Sequence, residues 1–213
     1  MLSRLIVGTR VAMLASGQAV LIALILGVPP GLLAGYFSGR VDLVIMRITD
    51  AVQSFPPLIL AIAMVGILGP GLTNAMLAVG IVFSPNFLRI VRAAVLEIRE
   101  ETFIEASRSI GTPTSRIVRT RILPNVLPPL LVQISLAAGF ALLAEASLSF
   151  LGLGVQPPRG SWGLMLGRGY DYLSRQPWLI VFPGLLIALA VLCFNVVGDG
   201  LGDSIGREAR RER

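Results

Sequence analysis

The segment PLLVQISLAAGFALLAEASLSFLGL, residues 129–153, carries a single charged residue, Glu145. A helix of about 20 apolar residues crosses the hydrocarbon core of a bilayer, so this segment predicts a transmembrane helix. The composition of the whole chain agrees: of 213 residues, 54% are hydrophobic and 14% are charged, and the mean hydropathy is +0.81. Soluble domains carry about 25% charged residues. The sequence therefore predicts an all-α, polytopic membrane protein.

Long apolar segments recur along the chain, and we predict that they form a single domain, 1–213, with about five transmembrane helices. No internal repeat or low-complexity linker divides the sequence. Pro29-Pro30 and Pro56-Pro57 are expected to kink or interrupt their helices. The predicted spans are 11–36 with an interruption at 29–31, 43–68, 72–95 continuing as a polar helix to about 101, 129–153 and 178–201.

Most of the arginines lie in or next to the connections between these spans, which indicates the orientation of the bundle. Cytoplasmic connections carry an excess of basic residues. Arginines are most frequent in the connection 89–121 and in the tail 207–213. Two spans separate these regions, so we predict that both are cytoplasmic and that the loop 154–177 is external. Five spans then place Arg4 and Arg10 outside, against the rule, and we expect a further segment before the first residue. The predicted external aromatic belt consists of Trp162, Tyr170, Tyr172 and Trp178.

A polar segment, residues 97–124, follows the third span, and we predict a short helix inside it. Thr102 and Glu105 fit a capping box, in which the threonine caps the start of the helix and the glutamate reaches back to it. Gly111 is expected to end the helix in the left-handed conformation. A second helix should then run until Pro124. At 1.5 Å per residue the first helix is roughly 12 Å long.

This short helix has an apolar edge on a charged surface, which is typical of a docking site for a partner. Its small residues would let another surface approach the backbone closely. The alternative is an ordinary charged loop in which Glu105 is only a cap. The candidate docking residues are Phe103, Ile104, Glu105, Ala106, Ser107, Arg108, Ile110, Gly111, Leu123 and Pro124.

The composition excludes several classes of enzyme. The chain has no histidine and one cysteine, Cys193, which excludes Ser-His and Cys-His catalysis and any disulfide framework. It has no lysine, and therefore no Gly-x-x-x-x-Gly-Lys phosphate loop. Asp199 and Asp203 lie four residues apart, but two carboxylates without histidine are weak evidence for a metal site. We expect these residues to interact with arginines or to end the helix. We predict no catalytic, cofactor or metal site.

Ionisable residues inside predicted spans are functional candidates, because a charge within the bilayer is costly. Glu145 lies about six residues from the external end of its span. We favour a structural role for it, with hydration or a pair to Arg159 or Arg168. Arg47 and Asp50 are three residues apart and are expected to pair along one helix.

The docking residues resemble a known signature, that of the inner-membrane permease subunits of bacterial ATP-binding-cassette importers. The signature reads Glu-Ala-Ala, three residues, Gly, nine residues, Ile, one residue, Leu-Pro. Glu105-Ala106, Gly111 and Leu123-Pro124 match it. Ser107 replaces the second alanine, and Ile122 stands one position after the expected isoleucine.

Other stretches resemble the dipeptide/oligopeptide branch of these permeases, which also includes importers of nickel and other small solutes. Members of this branch usually carry one more helix at the N-terminus, which agrees with the placement of Arg4 and Arg10. The matching stretches include Ala34-Gly35-Tyr36-Phe37, Glu145 to Pro158, Ser161-Trp162-Gly163 and Gly198-Asp199-Gly200-Leu201.

The resemblance implies a mechanism and a set of partners. Such a permease pairs with a second permease subunit in the bacterial or archaeal cytoplasmic membrane. Two cytoplasmic ATPase subunits each receive one short coupling helix, here within 97–124, and an external binding protein delivers the solute. ATP binding then switches the pathway between inward and outward openings. Membrane lipid is a further partner, and nucleic acid is not expected.

Di- and oligopeptides are the expected solutes, with nickel or another small solute as alternatives within the family. A self-sufficient secondary transporter is a rival of another class. It would show paired internal repeats and buried coupling charges, and the sequence has no repeat. An intramembrane aspartyl enzyme is a second rival. It needs two carboxylates in one site, whereas Glu145 and Asp199 are predicted at opposite membrane faces.

Overall fold

A computed structural model describes residues 1–211, with side chains through Ser204, and every regular element in that range is helical. The arginines of the tail lie outside the described side chains, so their cytoplasmic placement stays a prediction. The elements are α1 (Leu2–Phe37), α2 (Gly39–Gln53), α3 (Pro57–Leu68), α4 (Leu72–Ile98), α5 (Thr102–Ser109), α6 (Thr114–Ile117), a π-helical turn (Val118–Ile122), α7 (Leu123–Phe150), α8 (Trp162–Tyr170) and α9 (Trp178–Arg211).

Four helical stretches are long and apolar enough to cross a bilayer: α1, α4, residues 114–150 including α7, and α9. The consecutive helices α2 and α3 pass the same test together, with a bend of 86° between them. They make a fifth span if the bent pair crosses as one. The predicted all-α bundle of about five spans is confirmed.

The boundaries of the spans differ from prediction mainly around prolines. Pro29-Pro30 lie inside the single helix α1 and do not interrupt it; neighbouring helices in a bundle allow proline within a span. The second span breaks before Pro57, which starts α3 where its missing N–H costs nothing. The loop 154–177 contains α8, which begins because the Ser161 hydroxyl accepts a hydrogen bond from the Leu164 amide at 3.2 Å.

The last span also runs further than expected. Asp199 and Asp203 lie within α9, which continues to Arg211, so the expected helix end at these residues is wrong. Aspartate costs a helix interior less than about 1 kcal/mol relative to alanine. Such a cost is too small to end a helix that the preceding apolar turns already hold in place.

Helices α1 and α4 pack along a glycine seam formed by Gly27, Gly31 and Gly35 on α1. A Cβ at Gly35 would lie 2.6 Å from the Val95 Cβ, and one at Gly31 would lie 2.7 Å from the Leu88 carbonyl oxygen. Since these distances leave no room for a methyl group, the absent side chains set how closely the two helices approach. The three glycines are four residues apart in the sequence, which places them on one face of the helix.

The helix α1 connects the two ends of the bundle. It has 36 residues and is therefore about 54 Å long. Near its start, the Leu5 carbonyl accepts a hydrogen bond from the Trp162 indole at 2.9 Å, which places α8 at that end. At its other end, the Gly35 and Tyr36 carbonyls accept bonds from Arg99, which places the polar segment there. The polar segment and α8 thus lie at opposite ends.

The polar pairs differ from the predicted ones. Asp50 pairs with Arg89 of α4 at 2.7 Å instead of with Arg47, because α4 packs beside α2 and supplies a closer guanidinium. Arg92 of α4 holds Asp42 through two hydrogen bonds of 2.5 and 2.6 Å. Together these pairs fasten α2 to α4.

Glu145 is buried, with 2% of its surface exposed. It accepts a hydrogen bond of 2.6 Å from the Ser149 hydroxyl, one turn later in α7. The same hydroxyl accepts from the Val155 amide at 3.0 Å. The expected pairing with Arg159 or Arg168 is wrong, because neither arginine forms an ion pair with Glu145 among the described side chains. Through Ser149, Glu145 instead holds the start of the external loop.

Candidate functional site

Helix α5 lies at the end of the bundle where α1 and α4 finish. It begins after Glu101, whose backbone is extended and whose carbonyl accepts from the Ile104 and Glu105 amides at 2.9 and 3.3 Å. The predicted capping box is therefore wrong: Thr102 is the first helical residue, and no side chain caps the helix. The helix is one residue out of step with the box because Glu101, and not Thr102, takes the extended conformation of an N-cap.

The end of α5 is as the sequence predicts. Gly111 has φ of +77°, in the left-handed region. The Gly111 amide donates to the Arg108 carbonyl at 2.9 Å, and the Thr112 amide donates to the Ser107 carbonyl at 3.1 Å. This pair of bonds is the Schellman motif, which satisfies the last carbonyls of a helix. The chain then reverses into α6.

One side chain anchors α5 to the bundle. Ile104 is fully buried and belongs to a core cluster with Val95, Ile117 and Ile122. This cluster joins α5 to the ends of α4, α6 and the π-helical turn. The cluster therefore connects α5 to the helices that continue into the membrane.

The rest of α5 faces outward. Phe103 is 40% exposed and Ile110 is 81% exposed. Glu105, Ala106 and Arg108 are also exposed, and Ser107 is half-buried. Within the part of the chain that the structure describes, the Glu105 carboxylate forms no ion pair. The predicted apolar edge and an uncompensated carboxylate thus lie together on one accessible surface.

A second contact, which the sequence did not reveal, holds α5 to the end of α1. The Arg108 guanidinium lies over the Tyr36 ring, 5.2 Å from its centroid. The Tyr36 hydroxyl lies 3.5 Å from the Thr114 hydroxyl, on α6. Arg99 donates to the Gly35 and Tyr36 carbonyls, each at 3.3 Å, and to the Ser38 hydroxyl. A cation at the C-terminus of a helix is favourable, so Arg99 both closes α1 and positions Tyr36.

Replacing Tyr36 by alanine is expected to weaken communication through α5. A cation–π contact contributes about 0.5–1 kcal/mol at a partly exposed site. For the ATP-driven importer that the sequence resemblance implies, we therefore expect a loss of about two- to fivefold in ATP hydrolysis stimulated by solute. The matched control is Tyr36→Phe, which keeps the ring and loses only the long hydroxyl contact. Equal activity of Tyr36→Ala and wild type would show that this contact plays no part.

Leu123-Pro124 do not end a helix, contrary to prediction. Residues 114–150 form one continuous helical stretch, and Pro124 lies in the first turn of α7. Proline is tolerated there because the preceding π-helical turn changes the hydrogen-bonding pattern. Leu123 is half-buried and Pro124 is exposed. Both belong to the connection between α5 and the membrane and lie outside the exposed surface of α5 itself.

A cavity of about 340 Å³ lies among α3, α4 and α7. Its walls are mostly apolar, but Asn86, Gln133 and Ser147 also line it. Polar side chains within spans face a bundle interior or a water-filled cavity. No pattern in the sequence indicated this cavity, because its residues come from three separate spans.

The family described as "Binding-protein-dependent transport system inner membrane component" matches residues 27–211. This range includes the polar segment and all helices from the last third of α1 onward. The chain belongs to this family. It is a permease component of a transport system, and its long apolar helices make it a multi-pass membrane protein.

The permease has relatives over nearly its full length. It is 45% identical over 203 residues to the dipeptide transport system permease protein DppC of Alkalihalophilus pseudofirmus, covering 95% of this chain and 67% of the relative. It is 42% identical to the glutathione transport system permease protein GsiD of Pectobacterium atrosepticum, covering 95% and 67%. These relatives confirm the resemblance to the dipeptide/oligopeptide branch.

The fold of the permease is also known from a solved structure. An inward-facing conformation of the MetNI methionine ABC transporter contains a chain that matches with a TM-score of 0.79 and 23% identity. The match covers 96% of the permease and 97% of that chain. It shows that the arrangement of helices is that of an ABC transporter chain.

Proposed function

We propose that the permease is one of two membrane subunits of an ATP-driven importer in the cytoplasmic membrane, and that it transports di- and oligopeptides. A second permease subunit completes the pathway, two cytoplasmic ATPase subunits power it, and an external binding protein delivers the solute. The chain itself does not hydrolyse ATP, since it contains no lysine for a phosphate loop. ATP hydrolysis is therefore supplied by the ATPases.

The observation that carries this proposal is the construction of α5. The helix is closed by the Schellman motif at Gly111, anchored by one buried side chain, Ile104, and exposed along Phe103, Glu105 and Ile110. A short rigid helix that is accessible on one side and packed into the bundle on the other can act as a lever. The ATPase surface moves α5, and Ile104 moves the ends of α4 and α7. This is rigid-body switching between two packed states.

The solute pathway passes beside the cavity among α3, α4 and α7, with the second permease subunit opposite. Asn86, Gln133 and Ser147 offer amide and hydroxyl groups there, and a peptide backbone needs such partners when it leaves water. Peptides as solutes are supported by the relatives, whose names include dipeptide, di/tripeptide and glutathione transport.

Cross-linking tests the proposed docking of α5. In a Cys193→Ser background, which removes the single native cysteine, a cysteine at position 105 or 108 is expected to cross-link to co-expressed ATPase subunits in membranes. The yield should change with nucleotide, because ATP binding closes the ATPases and moves the helix. Both positions are exposed, so the reagent reaches them.

The matched control is a cysteine at position 175, an exposed arginine in the loop at the opposite end of the bundle. It should give no ATPase cross-link. A cross-link from position 175 together with none from 105 or 108, in properly inserted protein, would contradict both the docking site and the orientation.

A further inference from the structure

A cationic groove lies at the end of the bundle opposite α5. It is a cavity of about 620 Å³ between the first turns of α1, residues 157–160, α8 and the start of α9. Three arginines line it: Arg4, Arg159 and Arg168. All three are exposed, and they come from three separate segments of the chain. The fold therefore brings together around one cavity three arginines that are far apart in the sequence.

No acidic side chain among the described residues forms an ion pair with these three arginines. Among the residues whose side chains are described, the ion pairs involve Arg89, Arg92 and Arg99, and none involves an arginine of the groove. The loop 154–177 contains a single acid, Asp171. Guanidinium groups bind carboxylate and phosphate in a two-pronged geometry. Several of them around one cavity attract an anion.

The other walls of the groove are mostly apolar. Leu164, Met165 and Leu179 line it beside the arginines. An occupant that fills such a groove therefore has an anionic part and a hydrocarbon part. A small free anion would leave the apolar walls uncovered.

Aromatic residues indicate where the groove lies relative to the bilayer. Tyr172 lines it, and Tyr170 and Trp178 lie on the adjoining segments with 62% of each residue exposed. Exposed tyrosine and tryptophan concentrate at the level of the lipid headgroups. The groove thus lies where a headgroup meets the acyl chains.

We propose that the cationic groove binds an anionic phospholipid of the outer leaflet, with its phosphate among Arg4, Arg159 and Arg168 and an acyl chain along Leu164 and Leu179. The assignment to the outer leaflet rests on the orientation in the proposed function, because the groove is at the opposite end of α1 from α5. The bound lipid offsets the positive charge and joins the start of α1 to the external loop.

Lipid binding to the purified permease tests the proposal. Native mass spectrometry in a neutral detergent would compare added phosphatidylglycerol with phosphatidylcholine. We expect one tightly bound phosphatidylglycerol, and binding that is about tenfold or more weaker in Arg159→Gln/Arg168→Gln, because each basic residue near a membrane contributes to the attraction of anionic lipid. The control Arg175→Gln, in the same loop but outside the groove lining, should bind as wild type does.

Three results would overturn the proposal: equal binding of both lipids, unchanged binding in the double glutamine variant, or saturation by glycerol phosphate without acyl chains. If the double variant does not fold, Arg4→Gln supplies the same comparison in an exposed first turn. Arg159→Lys/Arg168→Lys keeps the charge and loses the two-pronged geometry, so it should bind more tightly than the glutamine variant and less tightly than wild type. A negative result for lipid binding would not change the expected cross-linking of α5, so the lipid site and the docking of α5 are tested independently.

Discussion

A Gly111→Val substitution is expected to abolish ATP hydrolysis stimulated by solute while the chain still inserts into the membrane. Gly111 has φ of +77°, and a β-branched residue is a severe outlier in that region. The left-handed conformation costs a residue with a Cβ roughly 1–2 kcal/mol. Since α5 is short and mostly exposed, we expect the strain to be released by unwinding its last turn. The docking surface is then lost and the bundle is retained.

The space around Gly111 makes this prediction specific. A Cβ at this position meets no atom within 4 Å, so the substitution acts through backbone conformation and not through a clash. Gly111→Asn is the matched control, because asparagine enters the left-handed region more readily, and it should retain most of the stimulated hydrolysis. The measurements are ATPase activity in proteoliposomes with external solute and membrane fractionation of each variant. Full stimulation in Gly111→Val would contradict the role of the helix end.

A Gly27→Ala substitution is expected to destabilise the whole bundle. A Cβ at Gly27 would lie 2.5 Å from the Ser84 carbonyl oxygen and 2.7 Å from the Phe87 Cβ. The oxygen belongs to the backbone of α4, so the helices themselves must separate. Overpacking of this kind costs about 1–3 kcal/mol. We expect a lower midpoint of thermal unfolding in detergent.

The matched control lies on the same helix. A Cβ at Gly17 would meet no atom within 4 Å, and Gly17→Ala should leave the unfolding midpoint unchanged or slightly raised, because alanine favours helix over glycine. If the unfolding midpoint falls by the same amount in both variants, the effect comes from replacing any glycine of α1. A fall confined to Gly27→Ala would assign the effect to the glycine seam.

Features that depend on local chemistry could be predicted from the sequence. Hydropathy indicated the spans, because crossing a bilayer requires a long apolar helix. The end of α5 at Gly111 was predicted because left-handed backbone is a property of one residue and its neighbours. The start of α5 was misplaced by one residue, since Thr102 and Glu101 are both able to precede a helix and only the backbone path decides between them.

Features that join distant parts of the chain could not be predicted. The pairing of Asp50 with Arg89 requires α2 to lie against α4, and sequence spacing offered Arg47 as the nearer partner. The contact of Tyr36 with Arg108 requires the end of α1 to meet α5. The residue pattern within a single helix predicts neither of these contacts. The same limitation hid the cationic groove, whose three arginines belong to separate segments.

The π-helical turn sets the rotational register between the polar segment and the membrane. The buried residues of this stretch are Ile117, Ile122, Val126 and Leu130, so one step of five residues precedes steps of four. In an α-helix each residue turns the chain by about 100°, and only the wider turn at 118–122 keeps Ile117 on the same side as Ile122. Removing one residue within this turn would leave an ordinary α-helix with both faces still aligned. Removing one within α7 would rotate α5 about the helix axis. A one-residue deletion in the π-helical turn should therefore shorten the connection between α5 and α7 without rotating α5 about the helix axis.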